Sequence, residues 1–216
     1  MISYCTISSG AAIKKLHAAG WGLFLTPSAL RKNGVAWRWA RSQSPPMRYA
    51  LDNGAWGAFV NETPWDAQEF LDLLQEHGDQ CDFAVVPDIV EGGAASLQRS
   101  VRWLPMVLER AHRALIPVQD GMSAREIGPL LNERVGVFVG GSTEFKESTL
   151  RMWAELARSR SAWCHIGRVN SVRRIKRCTT AQVDSIDGTS AARFSCTLPK
   201  LDAARRQMPL LGVLDD

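Results

Sequence analysis

The chain has 216 residues, 45% of them hydrophobic and 22% charged, with a net charge of +4. That is ordinary globular composition, and the length suits one domain with a sizeable core. No apolar run approaches the ~18 residues a membrane-spanning helix needs, and Met1-Ile2-Ser3-Tyr4-Cys5 lacks the charged and apolar regions of a signal peptide, so a cytoplasmic protein without a membrane partner is expected.

The segments alternate in type along the chain. Residues 2–7 alternate and are β-branched, which predicts a first strand, and 10–19 carry apolar residues at helical spacing. A buried strand over 22–27 closes at Pro27. Residues 28–46 are basic, contain Trp37 and Trp39, and end in Ser44-Pro45-Pro46, which predicts a loop excursion from the domain. The strand over 48–52 is broken by Asn53-Gly54, and Thr63-Pro64 predicts the start of a helix whose apolar face is Phe70, Leu71, Leu73 and Leu74.

Residues 83–88 form a continuous apolar run, as in a parallel sheet covered on both faces. A helix over 94–113 contains Pro105, which should kink or split it. Strands follow at 114–120 and 135–139, then a helix over 147–158, a strand over 162–169 and a basic helix over 172–178. A last strand holds Val183-Asp184-Ser185-Ile186-Asp187, ended by Gly188-Thr189-Ser190, and from Arg193 onward the chain reads as helix or loop packed on the domain.

Eight strand candidates separated by helical segments imply βαβ units with right-handed crossovers. A compact α/β (β/α)8 barrel over 1–216, with the 28–46 excursion inside it, is therefore expected. An open doubly wound sheet is the alternative, but no G-x-G-x-x-G follows the first strand.

In a barrel the strand ends ring one mouth, where such enzymes keep their chemistry. Here those ends carry Asp52, Asp88, Gln119, Gly140-Gly141, Arg168 and the pair Asp184/Asp187. Crowded carboxylates raise one another's pKa, which suits one to attack and another to move protons. With an amide and a bare Gly-Gly turn they also match the N–H groups of a guanine-like ring. Residues i and i+3 of a strand face opposite sides, so Asp184 and Asp187 should do different jobs.

Two basic clusters, Arg31, Lys32, Arg38 and Arg41 around Trp37 and Trp39, and Arg168, Arg173, Arg174, Lys176 and Arg177, suit a phosphate backbone with stacking bases. Cys5, Cys81, Cys164, Cys178 and Cys196 are scattered without a C-x-x-C pair and read as buried thiols in a reducing compartment. Asp residues with His165 could form a metal site, but no two share a short ligand spacing. His165 sits mid-strand among apolar neighbours, which favours a core or supporting histidine.

In this order, Leu51-Asp52-Asn53-Gly54-Ala55-Trp56, Val86-Pro87-Asp88, Ile116-Pro117-Val118-Gln119, Val139-Gly140-Gly141, Ile166-Gly167-Arg168-Val169-Asn170 and Val183-Asp184-Ser185-Ile186-Asp187 resemble the strand-end motifs of the tRNA-guanine transglycosylase family. The resemblance implies base exchange: Asp187 as nucleophile, Asp52 as general acid/base, Asp88, Gln119, Gly140 and Gly141 reading the base, and Asp184 supporting the site. It departs from the family in length, in lacking the C-terminal cysteine–histidine zinc site, and in having only Glu144, out of register, after the Gly-Gly turn. Those departures point to the compact phage-type paralogues that insert 7-deazaguanine bases into DNA, with tRNA as the alternative polymer.

No cofactor is then expected, and a homodimer or partner subunit is compatible with the reading. For a base extruded from a duplex, Arg168, Arg173, Arg174, Lys176, Trp37 and Trp39 are the expected nucleic-acid contacts. The rival readings are an N-glycosidase, a barrel enzyme gripping a small phosphorylated substrate at Gly188-Thr189-Ser190, and a basic nucleic-acid-binding module without catalysis.

Overall fold

In a computed structural model, described for residues 1–194 and 196–207, the chain forms a closed barrel of eight parallel strands in sequence order. The elements run β1 (Ile2–Thr6), α1 (Gly10–Ala18), β2 (Gly22–Leu25), α2 (Pro27–Lys32), α3 (Gly34–Arg41), β3 (Tyr49–Leu51), α4 (Ala55–Val60), α5 (Ala67–His77), β4 (Ala84–Val85) and α6 (Gly93–Leu108). They continue with β5 (Ala114–Val118), α7 (Ala124–Ile127), a 3-10 turn (Gly128–Leu130), β6 (Val135–Val139), α8 (Thr143–Ser159), β7 (Cys164–Ile166), α9 (Val172–Thr180), β8 (Ser185–Gly188), α10 (Ser190–Arg193) and α11 (Leu198–Arg206). Closure comes from β8 pairing with β1, Ile2 opposite Ser185 and Tyr4 opposite Asp187. The (β/α)8 barrel expected from strand–helix alternation is the fold observed.

Alternation along each strand sorts the side chains into two clusters. One points inward: Tyr4, Phe24, Ala50, Phe83, Val85 and Leu115, with Ile2, Phe138 and Trp163 packed on them. The larger cluster lies between barrel and helices, with Trp153 and Phe70 fully buried. The inner rings plug the barrel with edge-on and tilted contacts, such as Tyr4 on Phe83 at 5.5 Å. At the N-terminal ends of the strands, Tyr4 Oη donates to Asp82 at 2.7 Å and Arg48 grips the same carboxylate at 2.9 and 2.8 Å. That floor leaves the C-terminal mouth as the open end.

Residues 28–46 are not a loop excursion. As far as Arg41 they fold into α2 and α3, because Ala36, Trp37 and Ala40 recur at helical spacing and bury together, and 42–46 alone stay irregular. Trp37 packs edge-on against Tyr49 at 4.9 Å and His77 at 5.2 Å, while Trp39 sits edge-on to His17 at 5.7 Å. Trp37 is buried and Trp39 partly buried in these contacts.

Two other expectations change. Helix α5 starts at Ala67 rather than after Thr63, because the Asp66 carboxylate caps it, accepting from Gln68 and Glu69 N–H at 2.8 and 3.1 Å. Pro105 does not divide α6, which runs unbroken to Leu108; it stands in the last turn, where little of the helix depends on its missing donor.

Gly136 on β6 is enforced by packing, since a Cβ there would lie 2.3 Å from the Trp163 carbonyl oxygen and 2.6 Å from Leu115. Gly136→Ala is expected to cost about 1–3 kcal/mol, as overpacked cores do. A fall in the urea midpoint at unchanged slope would show it.

Candidate active site

The mouth is built from the ends of β3, β4, β6, β7 and β8. Inward alternation on β7 and β8 places Trp163, His165, Ser185 and Asp187 in one polar line above the aromatic plug. The Trp163 indole N–H donates to Ser185 Oγ at 2.7 Å, Ser185 Oγ lies 2.8 Å from His165 Nδ1, and His165 Nε2 lies 3.0 Å from Asp187 Oδ1. A neutral imidazole satisfies both of its contacts in one tautomer, with the Ser185 hydroxyl donating to Nδ1 and Nε2–H donating to Asp187. The ring is fully buried, stacked on Phe138 at 5.0 Å and Phe24 at 5.6 Å.

The Arg168 backbone N–H also donates to Oδ1 of Asp187, at 3.2 Å. Among the described residues, both hydrogen bonds to this 7%-exposed carboxylate fall on Oδ1 and none on Oδ2. One oxygen is held from two sides and the other carries no hydrogen bond among the described residues.

Asp52, partly buried at the end of β3, has its carboxyl pushed up to about 7, first by lost hydration and then by the charges of Asp187 and Asp88. Burial also pushes the Asp88 carboxyl up, opposed by the hydrogen bond from Asn53. Asn53 is the organiser here. Its amide donates to Asp88 at 3.0 Å and to the Val86 carbonyl at 2.8 Å, while its oxygen accepts the Ala55 N–H at 2.7 Å as α4 begins. Gly54, at φ +78°, makes the intervening turn possible.

The other sequence candidates divide. Gln119 spends both ends of its amide on the loop after β4, accepting from Glu91 N–H at 2.7 Å and donating to the Ile89 carbonyl at 2.8 Å. It shapes that loop rather than presenting a free amide to the mouth. Gly141 has φ +71°, and a Cβ there would lie 2.5 Å from Asp120 Oδ2, while neighbouring Gly140 has ordinary backbone.

Asp184 is not in the site. It lies exposed before the start of β8, its Oδ2 accepting the Cys164 N–H at 2.7 Å near the floor, because three residues along so short a strand reach the opposite end of the barrel.

Arg168 does belong to the mouth. Its backbone is left-handed at φ +58°, its guanidinium lies 4.3 Å over the Trp56 ring, and it donates to the Gly141 carbonyl. Arg173, Arg174 and Arg177 converge instead on Glu147 at 3.1, 3.2 and 2.8 Å, which neutralises part of the second basic cluster. Lys176 is exposed on the same helix, and Glu144 is exposed in the first turn of α8. Among the described residues no group of three or more His, Cys, Asp or Glu side chains is placed to hold a metal ion.

Sequence reasoning left Ser185, Asn53, Trp56 and Lys146 without a role. The period of two linking Ser185 to Asp187 could have found the first. Nothing in a lysine near the start of a helix signals that Lys146 is only 7% exposed beneath the β7–α9 turn.

No family model matches the chain, and no curated protein is similar to it in sequence. Its fold is similar to that of a solved protein from Aquifex aeolicus VF5, with a TM-score of 0.61 over 96% of this chain and 93% of that one at 14% identity. That likeness carries the barrel architecture.

The raised Asp52 carboxyl gives a signed stability prediction. Between its ordinary value near 3.8 and about 7 the folded state holds a proton the unfolded chain has lost, so stability declines as pH rises through that window. Asp52→Asn should therefore stabilise the fold at pH 8 by on the order of 2 kcal/mol after allowance for screening, seen as a higher melting temperature, and change it little at pH 4. Paired thermal melts at the two pH values check this.

Proposed function

We propose that the protein is a nucleic-acid guanine transglycosylase, exchanging guanine for a 7-deazaguanine base through a glycosyl ester on Asp187. The carrying observation is the asymmetry of that carboxylate, with Oδ1 held by His165 and the Arg168 N–H and a second carboxyl, that of Asp52, poised near neutrality. A fixed nucleophile beside an acid that can both give and take a proton is what a two-step displacement needs.

In the first half, Asp187 Oδ2 forms a bond to C1′ while the C1′–N9 bond breaks. The bonding pair leaves with guanine, which takes the Asp52 proton. In the second, Asp52 accepts the N9 proton of the incoming 7-deazaguanine, N9 bonds to C1′, and Asp187 departs as carboxylate. Asp88 is the remaining carboxyl beside the site and serves as an acceptor for base N–H groups.

A polymeric substrate is supported by the surface next to Asp52. Helix α4 leaves Trp56, Phe59 and Val60 45%, 46% and 58% exposed, with Ile89 at 39%, an aromatic rim suited to stack on unpaired bases. Trp56 and Phe59, rather than Trp37 and Trp39, take the wedge role, with Arg168 and Lys176 as cationic contacts. DNA is the favoured polymer and tRNA the alternative.

The deciding experiment offers radiolabelled guanine or 7-cyano-7-deazaguanine with DNA and, separately, with tRNA. Label should enter DNA with wild-type protein and fall by about 10⁴-fold or to background in Asp187→Ala. Exchange should also decline above about pH 7 as Asp52 loses its proton. Undiminished incorporation in Asp187→Ala would remove the nucleophile assignment, and label in tRNA alone would move the substrate to tRNA.

A second measurement tests the rim. Phe59→Ser should raise the KM for DNA several-fold with kcat nearly unchanged, since base stacking on an aromatic contributes about 1–3 kcal/mol. An unchanged KM would take α4 out of the binding surface.

A further inference from the structure

The peptide between Gly167 and Arg168 is gripped from both sides. Its N–H donates to Asp187 Oδ1 at 3.2 Å, and its carbonyl oxygen accepts from Lys146 Nζ at 3.0 Å. Lys146 reaches that carbonyl from α8, outside the barrel wall, while Asp187 stands inside it. One peptide unit thus connects a buried cation to the carboxylate.

The turn that holds this peptide is strained. Arg168 is a non-glycine residue at φ +58°, and a Cβ on Gly167 would lie 2.7 Å from Phe138, so there is little room to reorganise.

We propose that Lys146 is a positioning residue for Asp187, its ammonium fixing and polarising the Gly167–Arg168 peptide so that the peptide N–H holds Oδ1 and aims Oδ2 at the substrate. This rests on the transglycosylase reading for its catalytic consequence, but the coupling itself does not. A charge at the carbonyl end strengthens the N–H as a donor, since hydrogen bonds in series polarise one another. Burying an ammonium is costly unless it is bonded, so a buried lysine spent on one carbonyl calls for an electrostatic purpose.

The charged and titratable groups facing Lys146 are Asp120 after β5, Arg168 on the β7–α9 turn, Arg174 and Cys178 on α9, and Asp187 on β8. Lost hydration, then Arg168, bring its ammonium down to about 8, and Asp187 opposes the fall. The lysine can therefore lose its charge within the working range of pH.

Two measurements test the proposal separately from the function. In base exchange, Lys146→Met should lower kcat roughly tenfold, less than the ~10²-fold cost of losing a direct donor, and leave KM within twofold. It should also abolish a step near pH 8 that the wild type adds to the Asp52 limb, and Lys146→Arg should restore most of kcat. A structural lysine would change the melting temperature and leave the pH profile alone, and that result overturns the proposal.

The second measurement needs no turnover. In protein carrying 13C-labelled lysine, with the Lys146 resonance assigned by its loss in Lys146→Arg, the Lys146 titration near 8 should move to lower pH in Asp187→Asn, because an opposing charge has gone. An unmoved titration overturns the coupling whether or not the protein exchanges bases. A moved titration in a protein that exchanges no label keeps the coupling and rejects only the proposed reaction.

Discussion

Inside the barrel an apolar plug gives way to a polar mouth at the height of His165. Tyr4, Phe24, Phe83 and Phe138 pack around the ring, and its Nε2 meets the Asp187 carboxylate. A buried carboxylate is tolerated only where donors meet it. Here one donor, His165, heads a line running through Ser185 to the Trp163 indole near the floor, and the other is the Arg168 N–H. Closure of β8 on β1 sets that line in place, because Ser185 and Asp187 are inward residues of the strand that completes the sheet. A one-residue slip would turn both outward and present Ile186 to the mouth.

The electrostatics of the mouth follow from this constraint. Asp52, Asp88 and Asp187 compete for a low-hydration space that cannot hold three full negative charges cheaply. Asp187 has the N–H groups, Asp88 has the Asn53 amide, and Asp52 resolves the conflict by keeping a proton to about pH 7. The proton settles on Asp52, where lost hydration and the neighbouring charges outweigh the hydrogen bonds from the Gly54 and Asn53 N–H groups. The positive charge at the mouth is also arranged through the backbone: Arg168 holds the Gly141 carbonyl and Lys146 the Gly167 carbonyl.

Strand–helix alternation made the barrel legible in the sequence, and strand-end position made Asp52, Asp88 and Asp187 legible with it. What stayed hidden depends on reach and partnering. Asp184 and Asp187 read as a pair with different jobs at one strand end, yet a short strand carries them to opposite ends of the barrel. Trp37 and Trp56 both sit on short helices, but α3 buries one face whereas α4 ends within six residues and leaves Trp56 exposed. Gln119 was visible as an amide at a strand end, although nothing local reveals that the loop after β4 occupies it. Periodicity reports which side of an element a residue faces; it carries no information about which distant carbonyl claims a side chain.

The distribution of backbone strain supports placing the chemistry at the mouth. Left-handed residues outside the mouth, such as Gly20, Ser161 and Gln182, follow helix ends, where such conformations are common. Those after β3, β4, β6 and β7 are different: Gly54, Glu91, Gly141 and Arg168 each lie beside a group of the site. For Glu91 and Arg168 the conformation costs about 1–2 kcal/mol. It is offset by the bonds of Glu91 N–H to Gln119, which shapes the loop after β4, and of Arg168 N–H to Asp187. Strain held by the groups it positions ties loop geometry to the state of Asp187. A change in charge at Asp187 or Lys146 should therefore be felt first in the turn at Arg168, and through its guanidinium at Trp56, before it reaches the packed wall of the barrel.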